Sequence, residues 1–161
     1  MIAHIRRSDL AEQSLAEHCR NVAVLCERAG HNMGFPKTLY LIGLLHDMGK
    51  ACHAVQDHLY NNTPEKINHA SAGMRWLWEN RGVSGAGTRY ITAQLAGLAI
   101  GCHHGERLDI IAPDGSEPWM QRMYAAQADK LYPENCQVFF SQCISMAEVQ
   151  QRFEKAVAEV S

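Results

Sequence analysis

The sequence has no apolar run long enough to span a bilayer and no signal-peptide pattern at its N-terminus, so neither membrane insertion nor export is expected. It has no excess of positive charge: the formal net charge is -2. That removes the global basic field that drives nonspecific nucleic-acid binding, so any such contact must come from a local patch or a metal centre. It has no CxxC pair, which argues against a zinc ribbon. Cys19/Cys26 and Cys136/Cys143 sit seven residues apart on expected helices, too far to bridge within one helix. The six cysteines therefore read as mostly buried thiols of a reducing cytoplasm. Aromatics make up only 7%, and Trp76, Trp78 and Trp119 are expected in packing roles rather than as base-stacking platforms. No strand alternation, repeat or low-complexity tract stands out, so the expected class is all-α.

What the chain does have is apolar content and histidine. At 161 residues and 47% hydrophobic it suits one domain with a substantial core, and a monomer is expected. Helical spacing predicts a first helix from about Leu10 to Ala29, with Leu15, His18, Cys19, Val22, Leu25, Cys26 and Ala29 turned inward. Phe35-Pro36 opens a second helix, apolar on most sides from Leu39 to Leu45 and ended by Gly49. A short helix is expected over 51–60, a loop over 61–64, and another helix from near His69 to Gly82. A glycine-rich turn over 82–87 precedes a helix from Tyr90 to Cys102 with Ile91, Leu95, Leu98 and Cys102 on its stripe. Residues 111–118 read as an exposed loop and Trp119 to Leu131 as helix. Met146, Val149, Phe153, Ala156 and Val160 share one face of a last helix.

Nine histidines in this length is the unusual feature. His18 lies on an inward stripe, His46-Asp47 ends the most apolar helix, His69 opens another, and His103-His104 closes a fourth. Each alone has an ordinary explanation, as a core histidine bonded to a carbonyl or a cation at a helix C-terminus. Together they fall at the ends or inner faces of four helices, which is how a metal site is built in a bundle core. Two divalent ions about 3.5–4 Å apart need a bridging carboxylate, several neutral nitrogen ligands and open positions for water and phosphate. Asp47 suits the bridge, His18 and His46 one ion, and His69, His103 and His104 the other. Mixed imidazole and carboxylate donors suit manganese, iron, cobalt, nickel or zinc. His4, His31, His53 and His58 are expected in loops or on solvated faces and not as ligands.

The order of motifs resembles the HD superfamily of metal-dependent phosphohydrolases. It runs His18, then His46-Asp47 with Gly49-Lys50, then His69-Ala70 with Gly73, then His103-His104-Gly105. The finer pattern is similar to the HD nuclease domain of the type I CRISPR-associated nuclease-helicase, on Ala3-His4, Leu15-Ala16-Glu17-His18, Leu44 to Lys50, Gln56 and Pro113-Asp114-Gly115. That resemblance implies an HD helical bundle over 1–161 with one or two divalent metal ions (Mn, Fe, Ni, Co or Mg) in its core. It implies hydrolysis of single-stranded DNA by metal-activated water, a superfamily-2 helicase domain as partner, and recruitment by an RNA-guided CRISPR surveillance complex. It assigns His18, His46 and Asp47 to a first ion, and Asp47, His69, His103 and His104 to a second. Asp47 and Lys50 become catalytic residues, Lys50 stabilising negative charge on the phosphate. One departure stands out. The family supplies a last aspartate to the first ion from a later helix, and Asp109, Asp114 and Asp129 do not sit in that context. The expectation is a domain that stops before its last helix. The competing expectations are an HD nucleotide phosphohydrolase or phosphodiesterase, and a non-catalytic docking domain with vestigial ligands.

Overall fold

A computed structural model describes residues 1–61, 63, 67–82, 87–105 and 107–161. Among them, a short antiparallel hairpin, β1 (Ile2–Ile5) with β2 (Glu12–Ser14), leads into eight α-helices. These are α1 (Leu15–His31), α2 (Pro36–Leu45), α3 (His53–Asn61), α4 (Ser71–Leu77), α5 (Thr88–Gly101), α6 (Pro118–Met123), α7 (Ala126–Gln142) and α8 (Met146–Val160). A 3-10 turn, Met48–Ala51, follows α2, and a π-turn, Trp78–Gly82, follows α4. The all-α expectation holds, with the hairpin as an addition to it. The expected loop positions Asn62 and Pro64, and residues 83–86 of the expected glycine-rich turn, lie outside the described residues. No helix of the described residues is long and apolar enough to cross a membrane.

α2 is the central element. It packs on α1, α5 and α8, and Leu41, Leu44 and Leu45 are fully buried. The α1–α2 contact is close because both helices present small residues there. A Cβ on Gly43 would lie 2.7 Å from the Ala23 Cα, so only glycine fits. This close approach also corrects the expected inward stripe of α1. Leu15, Cys19, Ala23 and Gly30 are buried, while Leu25 is 61% exposed and Ala29 faces solvent. α5 departs in the same way. Its buried face is Thr92, Ala93, Ala96, Gly97, Ile100 and Gly101, and Ile91 and Leu95 are about half exposed. Large side chains there would hold α5 off α4; a Cβ on Gly101 would sit 2.6 Å from the Met74 Sδ and require that side chain to shift.

Helix starts follow local chemistry. Ser14 accepts from the Glu17 N–H and Ser145 from the Glu148 N–H, so α1 and α8 each begin at a Ser-x-x-Glu segment with an acid in the first turn. For α1 this places the start at Leu15 rather than Leu10. The expected helix from Trp119 to Leu131 is two helices, broken at Tyr124-Ala125. α2 has Pro36 at its start and no side-chain cap of its own. Glu159, at the far end of α8, fills that role: its carboxylate accepts from the Lys37 and Thr38 N–H groups and the Thr38 hydroxyl, each at 2.8 Å. Near its other end, Glu148 takes a bidentate bond from Arg20 of α1. α8 thus clamps the two helices that carry His18 and His46.

Glu159→Ala leaves the two N–H groups at the start of α2 without a protein acceptor and is expected to cost about 1–2 kcal/mol, the usual range for a lost helix cap. Urea denaturation of wild type and variant checks this; an unchanged midpoint would remove α8 from the support of α2.

Candidate metal centre

The site forms where six segments meet. β1 brings His4, the second turn of α1 brings His18, and the end of α2 brings His46 and Asp47. The 3-10 turn brings Lys50, the approach to α4 brings His69, and the turn after α5 brings His103 and His104. Glycine permits the closest approach: a Cβ on Gly49 would lie 2.1 Å from the His69 carbonyl oxygen, and one on Gly73 would lie 2.4 Å from the Leu45 carbonyl oxygen. The 3-10 turn and α4 therefore touch backbone to backbone, which sets His69 beside Asp47.

Asp47 is at the centre and 2% exposed. Its two oxygens face different partners. Oδ2 lies 3.1 Å from His18 Nε2, 3.2 Å from His46 Nε2 and 2.9 Å from Lys50 Nζ. Oδ1 lies 3.6 Å from His69 Nε2 and 3.7 Å from His103 Nε2. His104 joins the second group through a 2.7 Å contact between its Nε2 and that of His69. All six expected metal-site residues thus converge, in the two sets the chemistry anticipated, with one carboxylate oxygen given to each. Lys50, expected beside the phosphate, is 7% exposed and also reaches the Ala3 carbonyl at 3.4 Å. Its nearest charge partner is Asp47.

The proton positions decide what the cluster can hold. His46 donates from Nδ1 to the Gly43 carbonyl at 2.8 Å, His103 from Nδ1 to the Ile100 carbonyl at 2.7 Å, and His18 from Nδ1 to Gln13 Oε1 at 3.2 Å. With neutral rings held this way, all three Nε2 atoms present lone pairs, an assignment that follows from the acceptors around them. Those lone pairs point at carboxylate oxygens and at one another; His18 Nε2 and His46 Nε2 are 3.2 Å apart. His103 Nε2 is buried with no hydrogen-bond partner. Acceptors facing acceptors in a buried site repel unless a cation lies among them, and an imidazole whose other nitrogen donates outward is the usual form of a metal-ligating histidine. The residues present fit a divalent metal.

Burial works to raise Asp47, but protons donated by His103, His18 and His46 would outweigh it and hold the carboxyl far below the usual carboxylate range; where those nitrogens carry lone pairs instead, a cation has to take over that role. Burial pushes His69 down to about 4, with Lys50, His104 and His103 acting in the same direction against Asp47. His104 is lowered by burial and by His103. An ionised carboxylate and uncharged imidazoles are the forms that bind metal without first releasing protons.

A second observation separates the remaining histidines. His53 pairs with Glu134, His58 with Thr63, and His31 is exposed at the end of α1. His4 differs. Its ring stands edge-on to His18 at 4.7 Å between centroids, and one nitrogen lies within 4.8 Å of ligand atoms of both His18 and Asp47. Sequence periodicity missed it because its strand is too short for alternation to register. Asp129 pairs with Arg75 and Asp114 with Ser116. Among the described residues no carboxylate besides Asp47 joins either candidate metal group.

The model of the HD domain matches residues 15–133. This chain belongs to the HD domain family. It is also similar to the 3'3'-cGAMP-specific phosphodiesterase 1 of Vibrio cholerae serotype O1, with 32% identity over 109 residues. That match covers 63% of this chain and 23% of the relative, so the HD chain spans about a quarter of the relative's length. Family and relative together support a metal-dependent phosphohydrolase.

Asp47→Ala removes the group shared by both histidine sets. Metal analysis after dialysis against manganese is expected to find ions in wild type and none in this variant. Gly49→Ala drives the His69 backbone away and is expected to weaken metal affinity by roughly 10–100-fold, the range for lost support of a metal ligand. Isothermal titration with manganese measures it, and an unchanged affinity would remove His69 from the site.

Proposed function

We propose that this HD domain hydrolyses phosphodiester bonds of single-stranded DNA, as the nuclease part of a CRISPR interference system. The observation that carries the reading is the division of the Asp47 carboxylate between two histidine groups. Hydrolysis of an internal phosphodiester benefits from two adjacent cations, one for the attacking and one for the leaving oxygen. His18, His46 and Asp47 Oδ2 would hold the first; Asp47 Oδ1, His69, His103 and His104 would hold the second. When bound, such ions lower the pKa of water and neutralise phosphate charge.

The protein's own groups do the rest. Gly43 and Ile100 fix the His46 and His103 rings through their carbonyls, and Gln13 fixes His18. Lys50 adds positive charge at Asp47, 2.9 Å from its Oδ2. Support for the nuclease over other HD activities comes from motifs outside the catalytic set. Gln56 is 7% exposed; it accepts from the Ile2 N–H and donates to the Ile2 and Lys50 carbonyls. It thereby seats the Ala3-His4 strand against the centre, so these two features of the CRISPR-type pattern work as one unit. A superfamily-2 helicase domain feeding single strands, and a surveillance complex recruiting it, would be the partners.

A second reading is a cyclic-dinucleotide phosphodiesterase, favoured by the Vibrio cholerae relative. Purified protein with manganese, nickel or cobalt is offered single-stranded DNA, 3'3'-cGAMP and mononucleotides. The nuclease reading expects DNA cleavage that EDTA abolishes and that His46→Ala lowers by more than roughly 100-fold, the upper range for a ligand's outer partners. Intact DNA with hydrolysed 3'3'-cGAMP would replace it with the second reading.

A further inference from the structure

We propose that His4 is a protein ligand of the cation held by His18, His46 and Asp47 Oδ2. The inference rests on the metal-centre reading above and adds a residue to it. Four observations bear on it.

First, the position is within reach. A His4 ring nitrogen, a His18 nitrogen and an Asp47 oxygen all lie within 4.8 Å of one another, so one cation can sit among them after small ring rotations. Donors to a transition metal stand about 2.0–2.2 Å from it, which places any two of them roughly 3–4 Å apart. Second, the backbone is shaped to aim this side chain. The ladder pairs Ile2 with Ser14 and His4 with Gln13, so β1 advances two residues while β2 advances one. Ala3 is the extra residue of a β-bulge. In an unbroken ladder His4 would face Glu12. Bulges re-aim side chains beside active sites, and this one turns His4 toward His18.

Third, the bulge is fixed from both sides. Ala3 is fully buried and its carbonyl accepts from Lys50 Nζ, while Gln56 holds both polar groups of Ile2. An exposed histidine on a free strand end would need no such anchoring. Across the ladder, Gln13 carries the oxygen that receives the His18 Nδ1 proton. Gln13 and His4 thus bracket His18, the first orienting its ring through Nδ1 and the second standing beside the ring. Fourth, the donor count leaves a place for it. The second set offers Asp47 Oδ1 and three imidazoles, whereas the first offers only two imidazoles and Asp47 Oδ2. No further carboxylate enters the first set among the described residues. His4 brings it to four protein donors and makes the two halves alike.

The test is metal binding rather than turnover. Wild type, His4→Ala and His4→Asp are dialysed against manganese, counted for bound ion, and titrated with manganese by calorimetry. Two ions are expected in wild type. His4→Ala is expected to weaken one of them at least about 10-fold and to leave the other unchanged. His4→Asp, which restores a donor at the same place, is expected to recover most of that loss. His4 is exposed, so the metal-free melting temperature of each variant should match wild type, which separates lost ligation from lost folding. An anomalous difference map from manganese-soaked crystals reads the same point directly, as a peak within bonding distance of a His4 nitrogen. Two ions bound by His4→Ala with wild-type affinities would overturn the assignment of His4 and leave the centre standing. No ion in wild type would overturn both.

Discussion

A carboxylate 2% exposed, ionised, and ringed by imidazole lone pairs is a costly thing to fold around. Lys50 offsets part of that cost, because its ammonium lies 2.9 Å from Asp47 Oδ2. It serves one oxygen only. Oδ1 has His69 and His103 near it, at distances too long for good hydrogen bonds, and His103 Nε2 has no other partner. The arrangement becomes favourable when positive charge lies between the donors. Metal binding and folding free energy are then coupled, since the unfolded chain has no preformed site. The helical frame exists to hold these donors together against their mutual repulsion.

That demand explains where the fold spends its glycines and its buried polar bonds. Gly43 lets α1 lie against α2, Gly49 lets the turn after Asp47 meet the backbone of His69, and Gly73 lets α4 approach the end of α2. Each brings a backbone segment that bears a ligand, or lies next to one, nearer to Asp47 than a side chain would allow. Gln56 and Lys50 do with hydrogen bonds what the glycines do with space: they fasten the N-terminal strand to the same turn. Glu159 and Glu148 work farther out, holding α8 across the helices that carry His18 and His46.

That these side chains gather around Asp47 was legible in the sequence because metal chemistry constrains residue type tightly. His46-Asp47 at the end of an apolar helix, with histidines at three other helix ends or faces, has few explanations once taken jointly. The inward faces of α1 and α5 were not legible. Hydrophobic periodicity assumes that the largest apolar residues face the core, yet here α1 meets α2 through Ala23 and Gly43, and α5 buries the small residues Ala93, Ala96, Gly97 and Gly101. Leu25, Ile91 and Leu95 are left outside as a consequence. The start of α1 is set by a local signal rather than by periodicity: Ser14 with Glu17 is a capping signature that outweighs the apolar Leu10 before it. Leu10 in fact sits in the hairpin connection with a positive φ of 56°. The hairpin was hidden for a different reason. Two strands of three and four residues, one of them bulged, carry too little alternation to register.

Chemistry and selectivity occupy different parts of this molecule. A metal centre at Asp47 would act on a phosphate group and the oxygens on either side of it, which leaves the choice of substrate open. Discrimination among DNA, cyclic dinucleotides and mononucleotides has to come from what surrounds the opening. On the hairpin side that surface is a groove lined by His4, Arg6, Ala11, Glu12, Gln13 and Glu17. Its two glutamates disfavour a polyanion, and Arg6 is already paired with Asp9, so the groove has no basic track of the kind that binds long nucleic acid without help. With a net charge of -2, the cations at Asp47 would supply the main attraction for a phosphate. A strand held mainly at one phosphate binds weakly and leaves readily. On such a surface a long polyanion would need positive charge from another component, whereas a small phosphodiester would not.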